Sequence, residues 1–148
     1  MKEWLKKRLP PSMMRAYYRL RRHLEDWRNA RRTPQEVFSE IYKDAKWGKF
    51  GHKPFHSGSG SASNEVVGPY VDRLGAYLRD RGPCVVVDLG CGDFTVGQHL
   101  VPYCSQYVGV DVVPNLISYL RSTVRNHRVN FLQLDIADGD LPQPFPRG

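Results

Sequence analysis

No apolar run in these 148 residues approaches the roughly 20 needed to cross a bilayer, so a transmembrane helix is excluded. Cysteine is scarce: Cys84, Cys91 and Cys104 are odd in number, show no CxxC spacing and sit in or beside apolar runs. That pattern excludes a disulfide framework and reads as buried thiols in a reducing compartment. A zinc site, which needs about four clustered ligands, finds none here. The N-terminus is basic but lacks the continuous apolar stretch and small-residue cleavage site of a secretory signal, so the expected location is the cytoplasm. There is no internal repeat. What is present is the mixture of a globular chain, 41% hydrophobic and 25% charged, which excludes collagen and wholesale disorder.

The charge is unevenly placed. Residues 1–32 hold eleven Lys and Arg against three acids, Glu3, Glu25 and Asp26, a net +8. The other 116 residues hold eleven bases and twelve acids, a net −1, so the overall +7 belongs to an N-terminal arm. Within that arm Met13, Tyr17, Leu20, Leu24 and Trp27 recur at steps of four and three, which predicts a basic amphipathic helix of about four to five turns. Three readings of the arm remain open: peripheral association with an anionic membrane surface, in which Trp4 and Leu5 would join the stripe, packing on the body, and binding of nucleic acid. No helix-turn-helix or aromatic-plus-glycine RNA module appears in the body, so nucleic acid ranks last.

Residues 33–82 form a helical lead-in. Thr33 is placed to cap, Pro34 suits a first helical position and Glu36 completes a capping box. Val37, Phe38, Ile41, Tyr42 and Ala45 then make an apolar face ending at Trp47-Gly48. Residues 51–63, rich in Gly, Ser, His and Lys, are expected to be a loop. A further helix is expected from Asn64 to about Arg79, with Val67, Tyr70, Val71, Leu74, Tyr77 and Leu78 toward a core. From residue 83 the texture changes to β-α-β-α-β, with strands at 84–87, 107–110 and 129–134 and helices near 95–101 and 114–125. The expected fold is α/β, a Rossmann-like parallel sheet of about three strands preceded by N-terminal helices. The continuous apolar run at 84–87 predicts a strand buried on both faces.

The chemistry concentrates at the strand ends. In Val87-Asp88-Leu89-Gly90-Cys91-Gly92-Asp93 the glycines permit a sharp strand-to-helix turn close to a ligand, and the next helix would offer its N–H groups to an anion. Asp111 ends the second strand nineteen residues after Gly92, where a carboxylate can bind both hydroxyls of a ribose; Asp135, followed by Ile136, ends the third. The glycine spacing is wrong for a dinucleotide fingerprint, because Gly92 is followed by Gly97 and position 95 is Thr. An acid at position 88 would repel a pyrophosphate and suit a cationic ligand. Asp93 reads either as a cap or as a ligand contact. His52, His56 and His99 are isolated and read as surface or satisfied core residues.

These residues together resemble the class I S-adenosylmethionine-dependent methyltransferases. Asp88-Leu89-Gly90-Cys91-Gly92 looks like their first motif, Gly109-Val110-Asp111 like their ribose-binding acid, and Leu134-Asp135-Ile136 like their adenine-side motif, over roughly residues 65–140. The resemblance implies S-adenosyl-L-methionine as cofactor. Asp88, Gly90, Cys91 and Gly92 would border its methionine part, Asp111 its ribose, and Asp135 with Ile136 its adenine. It names no catalytic base. The lead-in from Trp47-Gly48 to Ser57-Gly58-Ser59-Gly60-Ser61 is similar to that of some bacterial members, where it could fold over the cofactor; a flexible linker explains the same composition. The implied acceptor is a glycan or small metabolite.

A complete member has seven strands, and this chain shows three before a proline-rich end. The first strand is therefore expected to have an unpaired edge, open to a partner chain, and the chain to be a truncated form with little methyl transfer of its own. The competing expectation is a non-catalytic protein that binds a membrane surface or a partner through its basic helix.

Overall fold

The computed structural model describes residues 10–48 and 53–138. They fall into two compact units, divided between Thr33 and Pro34. Among its described residues the first unit has one helix, α1 (Pro11–Asn29), opened by Pro10 and Pro11 and carrying no buried residue. Arg21 and Glu25, one turn apart, join at 2.9 Å.

The second unit begins with α2 (Pro34–Lys43), where Pro34 takes the first helical position. A single turn, α3 (Ser59–Ala62), follows within the stretch expected to be loop, starting after Gly58 at φ +98°. Next comes α4 (Asn64–Arg81), which runs through Pro69. Val67, Val71, Leu74 and Leu78 face inward as expected, but Tyr70 and Tyr77 are exposed. At about 100° per residue those two tyrosines fall beside the inner arc rather than within it. Gly75 lies on that arc because a Cβ there would come 2.8 Å from the ring of Tyr103.

Three parallel strands form the sheet in the order β1-β2-β3: β1 (Val85–Leu89), β2 (Gln106–Asp111) and β3 (Val129–Gln133). Asp88 pairs with Gly109, and Asp111 with Gln133. The middle strand is the buried one, with Tyr107 and Val110 fully enclosed. The expectation that the first strand is buried on both faces fails: β1 is an edge among the described residues, with Val87 and Leu89 exposed. Its apolar run reflects β-propensity and one covered face rather than a central position.

Between β1 and β2 the expected α-helix is replaced by two short 3₁₀ turns, Gly97–His99 and Val101–Tyr103. Between β2 and β3 runs α5 (Pro114–Thr123), whose Leu116, Ile117 and Leu120 join Val113, Phe94, Tyr107 and Phe131 in the core, where Val110 is also buried. Each such side chain contributes about 1.5–3 kcal/mol by leaving water. Gly97 belongs to this packing: a Cβ there would overlap the Tyr107 hydroxyl and lie 2.7 Å from Tyr107 Cζ and 2.9 Å from Phe94. Gly97→Ala is therefore expected to lower stability by about 1–3 kcal/mol in urea unfolding.

Candidate functional site

The carboxyl ends of β1 and β2 meet at the Gly90–Asp93 crest. Gly90 has φ +81° and Gly92 φ +54°, so both sit where a side chain is strained. Phe94 is also left-handed at φ +65°, and it is held there by burial and by ring contacts to Tyr107 and Phe131 at 5.2 and 5.1 Å.

The crest spends its N–H groups internally. Gly90 N and Cys91 N both donate to Val110 O, at 2.8 and 2.9 Å. Gly92 N donates to Asp111 Oδ2 at 3.2 Å, Asp93 N to Ser57 Oγ at 2.8 Å, and Thr95 N to Asp93 Oδ1 at 3.1 Å. The anion-binding helix start expected after the glycines is thus absent. The turn that follows is 3₁₀, and the N–H groups of residues 90–95 are taken by acceptors within the chain.

Asp111 ends β2 as expected. Its Oδ1 accepts from Val113 N at 3.0 Å and its Oδ2 from Gly92 N at 3.2 Å. Each carboxylate oxygen therefore retains a lone pair for a further donor. Burial raises its pKa, against the lowering effect of the Val113, Gly92 and Val112 N–H groups. Asp135 lies two residues beyond β3 rather than at its end, with Oδ1 accepting from Ala137 N at 3.0 Å. Asp88 accepts a hydrogen bond from the buried Tyr107 hydroxyl, whose ionisation is opposed first by burial and then by that bond. The Cys91 thiol is buried and its pKa is raised by desolvation first, then by Asp111 and Asp88.

Of the two roles left open for Asp93 in the sequence the structure shows the cap, and its second oxygen is taken by the lead-in. Oδ1 caps its own turn, while Oδ2 accepts from Ser57 N at 3.1 Å. Ser57 and Asp93 therefore exchange two hydrogen bonds across 36 residues. Tyr42 OH lies 3.1 Å from Ser57 Oγ, and burial pushes the tyrosine pKa up to about 12. His56 Nδ1 stands 3.8 Å from Asp93 Oδ2. An aromatic chain continues the attachment, from Trp47 to Tyr42 at 5.4 Å, Tyr42 to Phe55 at 5.6 Å and Phe55 to Tyr119 of α5 at 5.4 Å. His99 is exposed away from this cluster, and His52 lies outside the described residues.

Two cavities flank the crest. The first, of about 470 Å³, is lined by Gly90, Gly92, Val110, Asp111, Val112 and residues 134–137, and on the lead-in side by Phe38, Tyr42, Trp47, Ser57 and Ser61. The second, of about 390 Å³, is lined by Asp88, Cys91, Asp93, Val96, Leu100, Tyr70 and neighbours, and shares Ser57, Ser61, Gly90 and Gly92 with the first. All seven residues singled out in the sequence therefore lie on these walls, divided between two spaces: Asp111, Asp135 and Ile136 on one, Asp88 and Cys91 on the other, with Gly90 and Gly92 between them. Phe38 and Tyr42 were read only as a helix face, and Trp47 as its end and the start of the lead-in. Their signal was faint, a cluster of aromatics just before a Gly/Ser-rich stretch.

Fold and site together define a Rossmann-like domain with an acid-rimmed cleft at the carboxyl edge of a parallel sheet. Over residues 87–148 the chain matches the model of a methyltransferase domain family. It is 33% identical over 67 residues to an uncharacterized methyltransferase of Schizosaccharomyces pombe, a match that takes in 40% of this chain and 24% of that protein. The chain thus spans about a quarter of that relative's length. Among solved structures it is similar to the 23S rRNA methyltransferase ErmE, at 18% identity and a TM-score of 0.42 over 51% of this chain and 31% of the other. It is also similar to the YcgJ protein of Bacillus subtilis, at 22% identity and a TM-score of 0.41 over 52% and 33%.

Proposed function

We propose that this domain binds S-adenosylmethionine along the strand ends and serves a methyltransferase whose acceptor is a glycan or small metabolite. The observation that carries the cofactor reading is the internal use of every crest N–H named above, together with the spare lone pairs of Asp111. Such a crest favours a ligand with hydroxyls and positive charge over a pyrophosphate. The first cavity lies within the range of about 300–1,000 Å³ typical of small-molecule sites.

In this reading Asp111 accepts the two ribose hydroxyls, while Ile136 and Val112 give an apolar bed for adenine beside Asp135. Asp88 lies by the second cavity, on the side of the ammonium and sulfonium. The cofactor supplies an electrophilic methyl group; the chain supplies orientation and exclusion of water, which Phe38, Tyr42 and Trp47 favour by walling the cleft. The acceptor class is supported by the likeness of the lead-in, Trp47-Gly48 to Ser61, to that of some bacterial members.

Calorimetric titration of the full chain with S-adenosylmethionine, S-adenosylhomocysteine and NAD tests the cofactor. Micromolar binding of the first two with none of the third is expected. Equal or tighter binding of NAD would overturn the proposal. Radiolabelled methyl transfer to glycan and small-metabolite acceptors tests the second half.

A further inference from the structure

We infer that α1 is a membrane-surface helix that lies in the interface of anionic phospholipid. Met13, Tyr17, Leu20, Leu24 and Trp27 fall within an arc of about 80° at about 100° per residue, and no charged side chain between Met13 and Trp27 shares that arc. Leu20 and Leu24 are 61% and 60% exposed, and Trp27 is 79% exposed. Arg15, Arg19 and Arg22 occupy the opposite side, while Arg21 and Arg28 border the stripe, where long side chains reach headgroups as the apolar face sinks.

Charge chooses the occupant. The first 32 residues carry +8 and the rest of the chain −1, so attraction to an anionic surface is concentrated on the segment that bears the apolar stripe. A nucleic acid would use the arginines and leave two leucines and a tryptophan in water, whereas a lipid interface uses both. No described helix is long and apolar enough to cross a membrane, so α1 would lie along the surface.

The test is flotation of the full chain with vesicles of phosphatidylcholine alone and with about one part in four phosphatidylglycerol, at about 0.1 M salt. At least about tenfold stronger binding to the anionic vesicles is expected, since each basic residue near the surface adds about fivefold. Leu20→Glu and Leu24→Glu should each weaken that binding about tenfold. Trp27 emission should shift to the blue with anionic vesicles, read as the difference from Trp27→Phe. Both leucine changes should leave the S-adenosylmethionine titration unaltered, which separates this inference from the cofactor proposal. Equal affinity for neutral and anionic vesicles would overturn it. So would indifference to Leu20→Glu and Leu24→Glu, binding of single-stranded RNA that displaces the vesicles and ignores those changes, or a concentration-dependent dimer abolished by them.

Discussion

Asp111→Ala should lower the affinity for S-adenosylmethionine by about a hundredfold or more. A hydrogen bond to a charged group contributes about 1.5–3 kcal/mol, and two ribose hydroxyls would lose their acceptor together. The same carboxylate also holds Gly92 N and Val113 N, so part of the loss would come through a displaced crest. Asp111→Asn separates the contributions, because it retains one acceptor oxygen near the crest but cannot accept from two hydroxyls and two backbone groups at once. Calorimetry on both variants, with circular dichroism to show that the sheet persists, measures the effect. An Asp111→Ala protein that is folded and binds S-adenosylmethionine as well as the parent would exclude Asp111 as the ribose acid.

Gly92→Ala should release the lead-in from the crest. The left-handed backbone costs a side chain roughly 1–2 kcal/mol, and the new Cβ would overlap Ser57 Oγ and approach Ser57 Cβ to 3.2 Å. Relief requires Ser57 to move, which breaks its exchange with Asp93 and its bond to Tyr42, each of which contributes about 1 kcal/mol. The expected loss is about 3 kcal/mol in urea unfolding, with faster chymotryptic cleavage after Phe55 and weaker cofactor binding. Gly90→Ala is the control: φ is again positive, at +81°, but nothing lies within 4 Å of the added atom, so only the backbone cost applies. Ser57→Ala should fall between them, since it removes the hydroxyl bonds without forcing movement. Equal behaviour of Gly92→Ala and Gly90→Ala would show that the Ser57 clasp contributes nothing.

Residue patterns made much of this architecture legible. Strand ends at Asp111, the helix from Pro114 and the helix of the arm follow from local periodicity and from glycine and proline positions, and the structure contains each of them. The acids at 88 and 111 were readable because a parallel strand delivers its last side chains to one edge. Errors arose where neighbours outside the local window decide. The run at Val85–Val87 has the composition of a central strand, yet its burial depends on what pairs beside it. The stretch after Asp93 reads as helix, yet Asp93, Phe94 and Gly97 are taken up by long-range contacts that leave only 3₁₀ turns. Tyr70 and Tyr77 follow the helical period closely enough to be read as inward, and a place about 40–60° outside the inner arc puts them in water.

By itself the sequence determined the order of the three strands and of the helices at 11–29, 34–43, 64–81 and 114–123, the segregation of charge to the first 32 residues, and the placement of Asp88, Gly90, Gly92 and Asp111 at the ends of the first two strands. These are properties of short windows, set by backbone sterics and by side-chain periods of 2.0 and 3.6. Only the tertiary structure decided that the crest donates inward rather than to an anion, and that Ser57, Tyr42 and Asp93 close the lead-in onto it. It alone decided, too, that Phe38 and Trp47 wall the same cleft as Asp111. Those arrangements join residues 15 to 73 positions apart, and whether a hydrogen-bonding group faces a partner or a ligand depends on which distant segment packs against it.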